Sequence, residues 1–377
     1  MSATKTVMMF GVGDLGGWVL EFLARREGLG SIIVCDNRED WGVVKTNCAA
    51  TGAGVEGYSK TMIFEKCDVN DIDGTAELIK KYSPDAIYSG LTLLGWAARR
   101  IIPYTVGTEK YEKAHAVVIP LQATLLAKLM QALKKSGIAA PVVNNAYPDI
   151  VNPVLWKNDL PVLMGAGNLD NIVGEIRRKI SVAENVPIGK VTVYFVAEHA
   201  VNVLGTRTGI PFFLKVIVGD RDITSKFDVD SLITDRLLKS PVDQTTWLNH
   251  PAIAASAVRN IMAIINDTNE FAHAPGPIGL LGGYPIRISA KGVEIVLPEG
   301  MSLEEAIKIN TDGMKREGVE EIKDNGTIVL TDEASKICKE LYGFTLTEIR
   351  FADMEDLGLE MVSVFKKLIE KYKIPRE

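Results

Sequence analysis

The sequence predicts an α/β protein in which a doubly wound parallel sheet is followed by a mixed α+β domain. Strand-like apolar runs alternate with helical segments from residue 6 to residue 145, which is typical of a parallel sheet. A glycine-rich turn stands where the first strand meets the first helix. The second half changes to paired strands and separate helices. We therefore place a domain boundary near residue 150 and predict domains at 1–150 and 151–377.

The first strand, residues 6–10, leads through the glycine-rich turn into an amphipathic helix. This is the context in which Gly-x-Gly-x-x-Gly indicates a dinucleotide-binding Rossmann domain. Gly11 permits the tight turn, Gly13 lets a diphosphate approach the backbone, and Gly16 lets helix and strand pack closely. The helix N-terminus then offers N–H groups to the phosphates. The cofactor-binding residues predicted here are Gly11, Gly13, Asp14, Leu15 and Gly16.

The second strand, residues 31–35, ends in Asp36, twenty residues after the last fingerprint glycine. An acid at this point can hydrogen-bond the ribose hydroxyls and repels a 2′-phosphate, so it favours NAD over NADP. Arg38 is the one feature that could admit a phosphate. We also place Asn37 and Asp68 near the adenosine end, although a helix cap explains the acids that follow the third strand equally well.

Further elements of the first half continue the alternation. Residues 41–59 lack a clear period and are predicted as a helix start followed by a loop. Residues 90–120 interrupt the alternation of strands and helices. The sequence leaves open whether they form an arginine-bearing active-site cover or a surface helix. The other predicted elements are strands at 61–64, 86–88 and 139–143, and helices at 75–82 and 121–133.

The second half predicts strands and helices that do not alternate regularly. The predicted strands are 190–196, 212–218 and 284–289, with 293–297 as the hairpin partner of the last. The predicted helices are 149–157, 170–183, 230–238, 252–266 and 354–372.

Composition narrows the class of protein. The chain of 377 residues is 47% hydrophobic and 24% charged, as is ordinary for a globular protein, and its formal net charge of −6 argues against a nucleic-acid partner. No apolar run reaches membrane-spanning length, and the first strand begins too early for a signal peptide. The four cysteines form no C-x-x-C pair.

We predict a cytoplasmic protein with a small-molecule substrate, and the long apolar helices favour a homodimer or homotetramer.

Few residues are candidates for chemistry. None of the four histidines has another ligand at metal-binding spacing, so no metal site is predicted. His199 directly follows a strand-like run and a glutamate, where it could face a cleft and exchange a proton, although a structural role is the alternative. Asp170 could orient the far nitrogen of a histidine. Asn145 ends a strand at the edge of the sheet where ligands bind.

From residue 142 to about residue 298, the order of these features resembles the lactate and malate dehydrogenases. Asn145, the Leu169–Asp170 turn and the Glu198–His199 strand end match features of that family, and 29 residues separate Asp170 from His199. The resemblance implies that His199 is the proton donor and acceptor, paired with Asp170. It implies an NAD-dependent hydride transfer at a hydroxyl or carbonyl carbon of a small, 2-hydroxy acid-like substrate.

The sequence also departs from that family. Val173 stands where the family has its substrate-gripping arginine. We expect Arg207 to replace it, with Arg99 or Arg100 as alternatives and a surface charge as the competing role for Arg207. The nucleotide half also resembles saccharopine-type reductases and short-chain dehydrogenases, although the short-chain Tyr-x-x-x-Lys is absent. An opine- or saccharopine-type imine reductase and a catalytically silent NAD(H)-binding sensor therefore stay open as alternatives.

Overall fold

The computed structural model describes residues 5–95, 110, 113–206, 209–235 and 249–372. Its first sheet is parallel and has six strands in the spatial order β3-β2-β1-β4-β5-β6. The strands are β1 (Thr6–Phe10), β2 (Ser31–Asp36), β3 (Thr61–Lys66), β4 (Ala86–Ser89), β5 (Val142–Asn144) and β6 (Met164–Gly165). The order reverses between β1 and β4, which makes the sheet doubly wound and confirms the predicted fold class.

Helices cover both faces of this sheet. They are α1 (Asp14–Ala24), α2 (Glu39–Val55), α3 (Ile72–Tyr82), α4 (Ile119–Ser136) and α5 (Pro148–Lys157). The next helix, α6 (Leu169–Ala183), follows β6 and packs in a separate core. Leu20 of α1 and Val7 belong to the core on one face, whereas Leu126 of α4 and Met8 belong to the core on the other. The alternate residues of β1 therefore serve the two cores.

The sequence has no uninterrupted apolar run of membrane-spanning length, but among the described residues helix α4 alone is long and apolar enough to span a bilayer by length and composition. The candidate stretch is 115–136, and 83% of its apolar window is buried inside the protein. It contacts α3, α5 and the last helix of the chain. We therefore interpret it as a core helix.

Helix α2 is longer than the sequence predicts. Residues 39–55 are all helical, although the prediction was a helix start followed by a loop. Glycine and alanine give the stretch little apolar period, but they let it lie close to the sheet. A Cβ atom on Gly42 would come within 2.0 Å of the Phe64 ring. Close packing of small residues thus positions this helix, which an amphipathic pattern does not reveal.

The second sheet is antiparallel and confirms the strands predicted beyond residue 190. Its strands are β7 (Val191–Ala197), β8 (Phe212–Val218), β9 (Arg221–Asp222), β10 (Glu270–Pro275), β11 (Gly283–Ser289) and β12 (Gly292–Ile295). The helices of this region are α7 (Ala200–Leu204), α8 (Val229–Thr234) and α9 (His250–Asn266). The predicted β11–β12 hairpin is present, whereas β9 and β10 were not predicted.

The last part of the chain adds a third sheet of three antiparallel strands. Its elements are α10 (Leu303–Met314), β13 (Val319–Ile322), β14 (Ile328–Leu330), α11 (Asp332–Tyr342), β15 (Glu348–Ile349) and α12 (Met354–Tyr372). Only α12 was predicted. Phe365 of α12 shares a core with Leu126 of α4, so this part packs against the first sheet's helices.

The predicted boundary near residue 150 falls inside α5, and the first sheet ends later, at Gly165. Helix α9, from the second half, packs on α1. Leu20 and Ile261 consequently belong to one core. The two halves of the chain are therefore joined by continuous packing.

Candidate active site

The turn between β1 and α1 has the geometry that a bound diphosphate requires. Gly11 has a φ of +85°, in the left-handed region that glycine adopts without strain. A Cβ atom on Gly16 would lie 2.1 Å from the Gly11 carbonyl oxygen, so α1 packs directly on the turn. A Cβ atom on Gly13 would meet nothing closer than Arg38 Nη2, at 3.9 Å. The backbone is thus open to a ligand, and these residues fit a dinucleotide.

Asp14 and Leu15 are the first residues of α1. Leu15 packs at the edge of the core. Asp14 is exposed, and its Oδ2 lies 2.7 Å from Nδ1 of His250 at the start of α9. Because both side chains are engaged by the protein, we expect these residues to reach the cofactor through backbone N–H groups.

Asp36 ends β2 as predicted, and its carboxylate is heavily hydrogen-bonded. Its Oδ2 accepts the Val12 N–H at 3.0 Å, and its Oδ1 accepts the Arg38 N–H at 3.0 Å. The Arg38 guanidinium adds bonds to both oxygens, at 3.1 and 3.3 Å. Burial opposes ionisation, but the bonds from Arg38 and Val12 lower the pKa of Asp36 from its usual value. The side chain is an ionised carboxylate at neutral pH.

The remaining predicted adenosine contacts lie at the same edge. Asn37 is exposed, directly after β2. Asp68 accepts hydrogen bonds from the backbone N–H and the side-chain amide of Asn70. Asp71 caps α3 by accepting the Gly74 N–H at 2.9 Å. The cap interpretation is therefore confirmed for Asp71, and the adenosine contact of Asp68 stays a prediction.

Asn145 directly follows β5, at the carboxyl edge of the first sheet. Its backbone N–H donates to Ser89, the last residue of β4, and its side-chain amide donates to the carbonyl of Ala166. Its Oδ1 is buried and accepts no hydrogen bond from the described residues. The next turn passes through Tyr147, which adopts a φ of +44°. Asn145 and Tyr147 thus both lie where ligands bind in sheets of this type.

His199 lies beside this edge and pairs with a carboxylate that the sequence did not indicate. Its Nδ1 is 2.5 Å from Oε1 of Glu317. The other carboxylate oxygen, Oε2, accepts the Tyr147 hydroxyl at 2.5 Å. His199 is 6% exposed and Glu317 is fully buried. Because Nδ1 is held by Glu317, Nε2 is the ring nitrogen that can exchange a proton with a substrate.

Aromatic rings pack around the pair. The His115 ring stacks on the Tyr147 ring, with centroids 4.7 Å apart. The His199 ring meets both edge-on, at 5.4 and 5.0 Å. His115 comes from the long segment that the sequence singled out between residues 90 and 120. These contacts fix the plane of the His199 ring.

Electrostatics keeps His199 protonated. Burial alone lowers its pKa, but the charge of Glu317 and the hydrogen bond to it outweigh burial and raise the pKa to about 10. Burial likewise opposes ionisation of Glu317, but His199 lowers its pKa. Burial and the nearby Glu317 charge raise the pKa of Tyr147 well above its usual value, so its phenol stays neutral. At neutral pH the pair is therefore an imidazolium held by a carboxylate.

Two further buried carboxyl groups interact electrostatically with the pair. Glu198 Oε2 accepts the Ala200 N–H at 2.7 Å, and Asp149 Oδ2 accepts the Asn168 amide at 2.5 Å. The other oxygen of each, Oε1 of Glu198 and Oδ1 of Asp149, is buried without a hydrogen bond from the described residues. Burial raises the pKa of both groups, that of Glu198 strongly. The surroundings of His199 are thus rich in carboxyl groups.

The predicted pairing of His199 with Asp170 is wrong. Asp170 Oδ1 accepts Nη1 of Arg259, on α9, at 3.1 Å. The same guanidinium donates to the carbonyl of His273. Asp170 lies in the first turn of α6, which packs against α9 and β10, so its carboxylate meets Arg259. His199 instead caps the start of the short helix α7, which contacts α10, and Glu317 ends the 3₁₀ turn that follows α10.

Glu317 was not predicted because 118 residues separate it from His199. It stands in a Lys-Arg-Glu-Gly stretch that matches no motif. Gly318 has a φ of +92°, and a Cβ atom there would come within 2.6 Å of both Ala334 and Lys113. Gly318 was the one sequence signal beside Glu317, because a glycine can indicate a turn whose backbone conformation strains other residues.

Arg207 is the predicted replacement for the substrate-binding arginine of the lactate and malate dehydrogenases. Val173 is buried in an apolar core, as its type suggests. Arg207, like Arg99 and Arg100, lies outside the described residues. Its role at the substrate stays a prediction.

A metal site was not predicted, yet His115, His199 and Glu317 are grouped closely. Their donor atoms all lie within 4.8 Å of one another, and all three side chains are buried. This grouping meets the geometric requirement for a cation. Hydrogen bonds from His199 and Tyr147 already engage both oxygens of Glu317, however. We therefore assign the group to proton handling.

No protein-family model and no curated protein sequence matches the chain. Its fold is that of the lactate and malate dehydrogenases among solved structures. The malate dehydrogenase from Picrophilus torridus is similar with a TM-score of 0.58 and 17% identity, over 84% of this chain and 96% of that chain.

Two structures from Cryptosporidium parvum are similar as well. Its malate dehydrogenase matches with a TM-score of 0.57 and 16% identity, over 83% of this chain and 96% of that chain. Its lactate dehydrogenase, complexed with lactic acid and NAD, matches with a TM-score of 0.55 and 17% identity, over 84% of this chain and 99% of that chain. The likeness establishes the fold.

Proposed function

We propose that this protein is an NAD-dependent oxidoreductase that transfers hydride between nicotinamide and a hydroxyl or carbonyl carbon of a small substrate. The observation that carries the proposal is the pairing of His199 with Glu317, 2.5 Å apart, beside the carboxyl edge of a doubly wound sheet. Ligands of such sheets bind at this edge. A fingerprint turn open above Gly13 and a fold shared with NAD-binding dehydrogenases support the same assignment.

The bound nicotinamide supplies the hydride in reduction and accepts it in oxidation. In reduction, a new C–H bond forms at the carbonyl carbon, and the carbonyl π electrons take the proton from His199 Nε2. In oxidation, His199 takes the hydroxyl proton as the C–H bond breaks. Glu317 holds Nδ1–H throughout and stabilises the imidazolium. Such positioned proton transfer contributes roughly 10²–10⁴-fold in rate.

The test is oxidation of NADH against 2-oxo acids, neutral ketones and aldehydes, comparing the wild type with His199→Asn. We expect the variant to bind NADH normally, because the fingerprint is a separate part of the site, and to lose about a hundredfold or more in kcat. Turnover that survives the substitution would show that His199 is structural. NADH binding without turnover on any substrate would instead identify a sensor.

An imine reductase is a second candidate, favoured by two buried oxygens, Oδ1 of Asp149 and Oε1 of Glu198, that accept no hydrogen bond from the described residues. Burial favours the neutral form of both carboxyl groups, and these oxygens beside the proton donor would accept hydrogen bonds from the N–H groups of a substrate amine. The same panel, run with and without amino acids, distinguishes the two functions. An imine reductase would require both the amine and the oxo acid, and Asp149→Asn would raise its KM for the amine.

A further inference from the structure

We infer that the adenosine end of the site binds a 2′-phosphate, so that the protein accepts NADP(H) as well as NAD(H). The inference rests on the proposed function and refines its cofactor class. The group responsible is a cationic pocket formed by Arg38, Trp41 and Lys45 beside the fingerprint turn.

The first observation is that Asp36 has no acceptor capacity left for a ribose. A carboxylate offers about four lone-pair sites. Four N–H bonds use them here: one from Val12, one from the Arg38 backbone and two from the Arg38 guanidinium. A ribose diol must therefore displace the Arg38 side chain before it can donate to Asp36. The carboxylate charge that would repel a 2′-phosphate is also neutralised by that side chain.

The second observation is a further positive charge at the same place. The Arg38 guanidinium carbon lies 5.4 Å from the centroid of the Trp41 ring, and Lys45 Nζ lies 5.0 Å from it. Both cations are within the range at which an indole face stabilises them. Lys45 forms no ion pair with any described residue. With Arg38 matched by Asp36, the pocket keeps one net positive charge.

The third observation is that the pocket is held at the fingerprint. The Trp41 indole N–H donates to the Val12 carbonyl at 2.9 Å. A Cβ atom on Gly13 would lie 3.9 Å from Arg38 Nη2, and one on Gly17 would lie 3.0 Å from Lys45 Nζ. The two cations therefore flank the turn and first turn of helix where the diphosphate and adenosine ribose of a dinucleotide lie. Guanidinium and ammonium groups are suitable ligands for a phosphate monoester.

The test compares the binding of 5′-AMP and 2′,5′-ADP, which differ only by the 2′-phosphate, by calorimetry, which needs no turnover. We expect wild-type protein to bind 2′,5′-ADP more tightly. Arg38→Ala should weaken the binding of 2′,5′-ADP by about tenfold, the effect of losing a charge-assisted hydrogen bond, and leave the binding of 5′-AMP unchanged or tighter because Asp36 regains free acceptors. Lys45→Ala should weaken 2′,5′-ADP selectively. Arg350→Ala is the matched control, since Arg350 is also exposed and ion-paired but lies in the last part of the chain.

Four results would overturn the inference. If wild-type protein binds 5′-AMP as tightly as 2′,5′-ADP, no 2′-phosphate site exists. If the preference for 2′,5′-ADP survives Arg38→Ala, another group holds the 2′-phosphate. Equal losses for both nucleotides in the two variants would assign the cations to the 5′-phosphate. Failure of both nucleotides to bind would overturn the proposed function as well, so the two failures are distinguishable.

Discussion

At the scale of single residues, His199 has a carboxylate partner, but that carboxylate comes from a different residue than the sequence predicts. Glu317 lies 2.5 Å from His199, whereas Asp170 is committed to Arg259. His199 could be singled out from the sequence because it directly follows a strand that ends at the sheet edge. Glu317 could not, because only the folded chain brings residues so distant into contact.

The first residue-scale prediction concerns pH. With the pKa of His199 near 10, its proton is present across neutral pH, so kcat/KM for reduction should stay constant up to about pH 10 and then fall. Oxidation needs the neutral His199 ring, so kcat/KM for oxidation should rise as the pH approaches 10. In Glu317→Gln the largest raising charge is lost while burial still lowers the pKa of His199, so the midpoint should move well below pH 10. The profile of kcat/KM measures this shift.

The matched control for this pH shift is Glu320→Gln, a nearby exposed glutamate that pairs with Lys315. It should leave the midpoint where the wild type has it. An unshifted profile in Glu317→Gln would remove Glu317 from the mechanism.

A second residue-scale prediction separates Asp170 from catalysis. Asp170→Asn should cost about 1.5–3 kcal/mol of unfolding free energy, because a buried charge-assisted bond to Arg259 is lost. The midpoint of the pH profile should not move. Chemical denaturation and the kinetic profile of the same preparation give the two quantities. A shifted midpoint would restore the pairing of Asp170 with His199.

At the scale of elements, regular patterns were the predictable part of the fold. The strands beside the fingerprint and helix α12 follow apolar periods, and the structure places them close to where the sequence does. Only the start of helix α2 was predicted, because close packing of small residues against Phe64 holds it in place and it has no regular apolar pattern. Strands β13 to β15 were missed because they are two to four residues long and, unlike the equally short β4 and β5, do not lie in a regular alternation of strands and helices.

The element-scale prediction tests the packing of α1 on the turn. A methyl group at Gly16 would overlap the Gly11 carbonyl, so Gly16→Ala should push the helix away, lower stability by about 1–3 kcal/mol and weaken ADP binding. Gly54→Ala is the control, because nothing lies within 4 Å of its added methyl and alanine favours a helix. Thermal melts and calorimetry compare them. Equal effects would mean that the contact at Gly16 is unimportant.

At the scale of the whole molecule, a metal-independent mechanism is expected. The donor atoms of His115, His199 and Glu317 are close enough for a cation, but proton-handling bonds already engage Glu317. Dialysis against EDTA should leave kcat unchanged, and purified protein should contain no stoichiometric metal by elemental analysis. A stoichiometric metal whose removal abolishes turnover would contradict the proton assignment.

Assembly and location stay predictions at this scale. The sequence favours a homodimer or homotetramer, and light scattering of the purified protein measures its mass directly. The predicted cytoplasmic location is tested by fractionating cells that express the chain. The panel of carbonyl compounds identifies the substrate, because Arg207, the predicted substrate-binding residue, lies outside the described residues.

The origin of Glu317 has a consequence for how the protein is made. The fingerprint turn is completed by residue 16, whereas the acid that sets the proton affinity of His199 comes 301 residues later. Chains are synthesised from the N-terminus, and early regions fold first. A growing chain therefore gains its nucleotide-binding turn long before the ribosome supplies Glu317. The two parts of the proposed site, the nucleotide-binding turn and the acid that holds His199, thus depend on stretches of the chain that are made far apart in time.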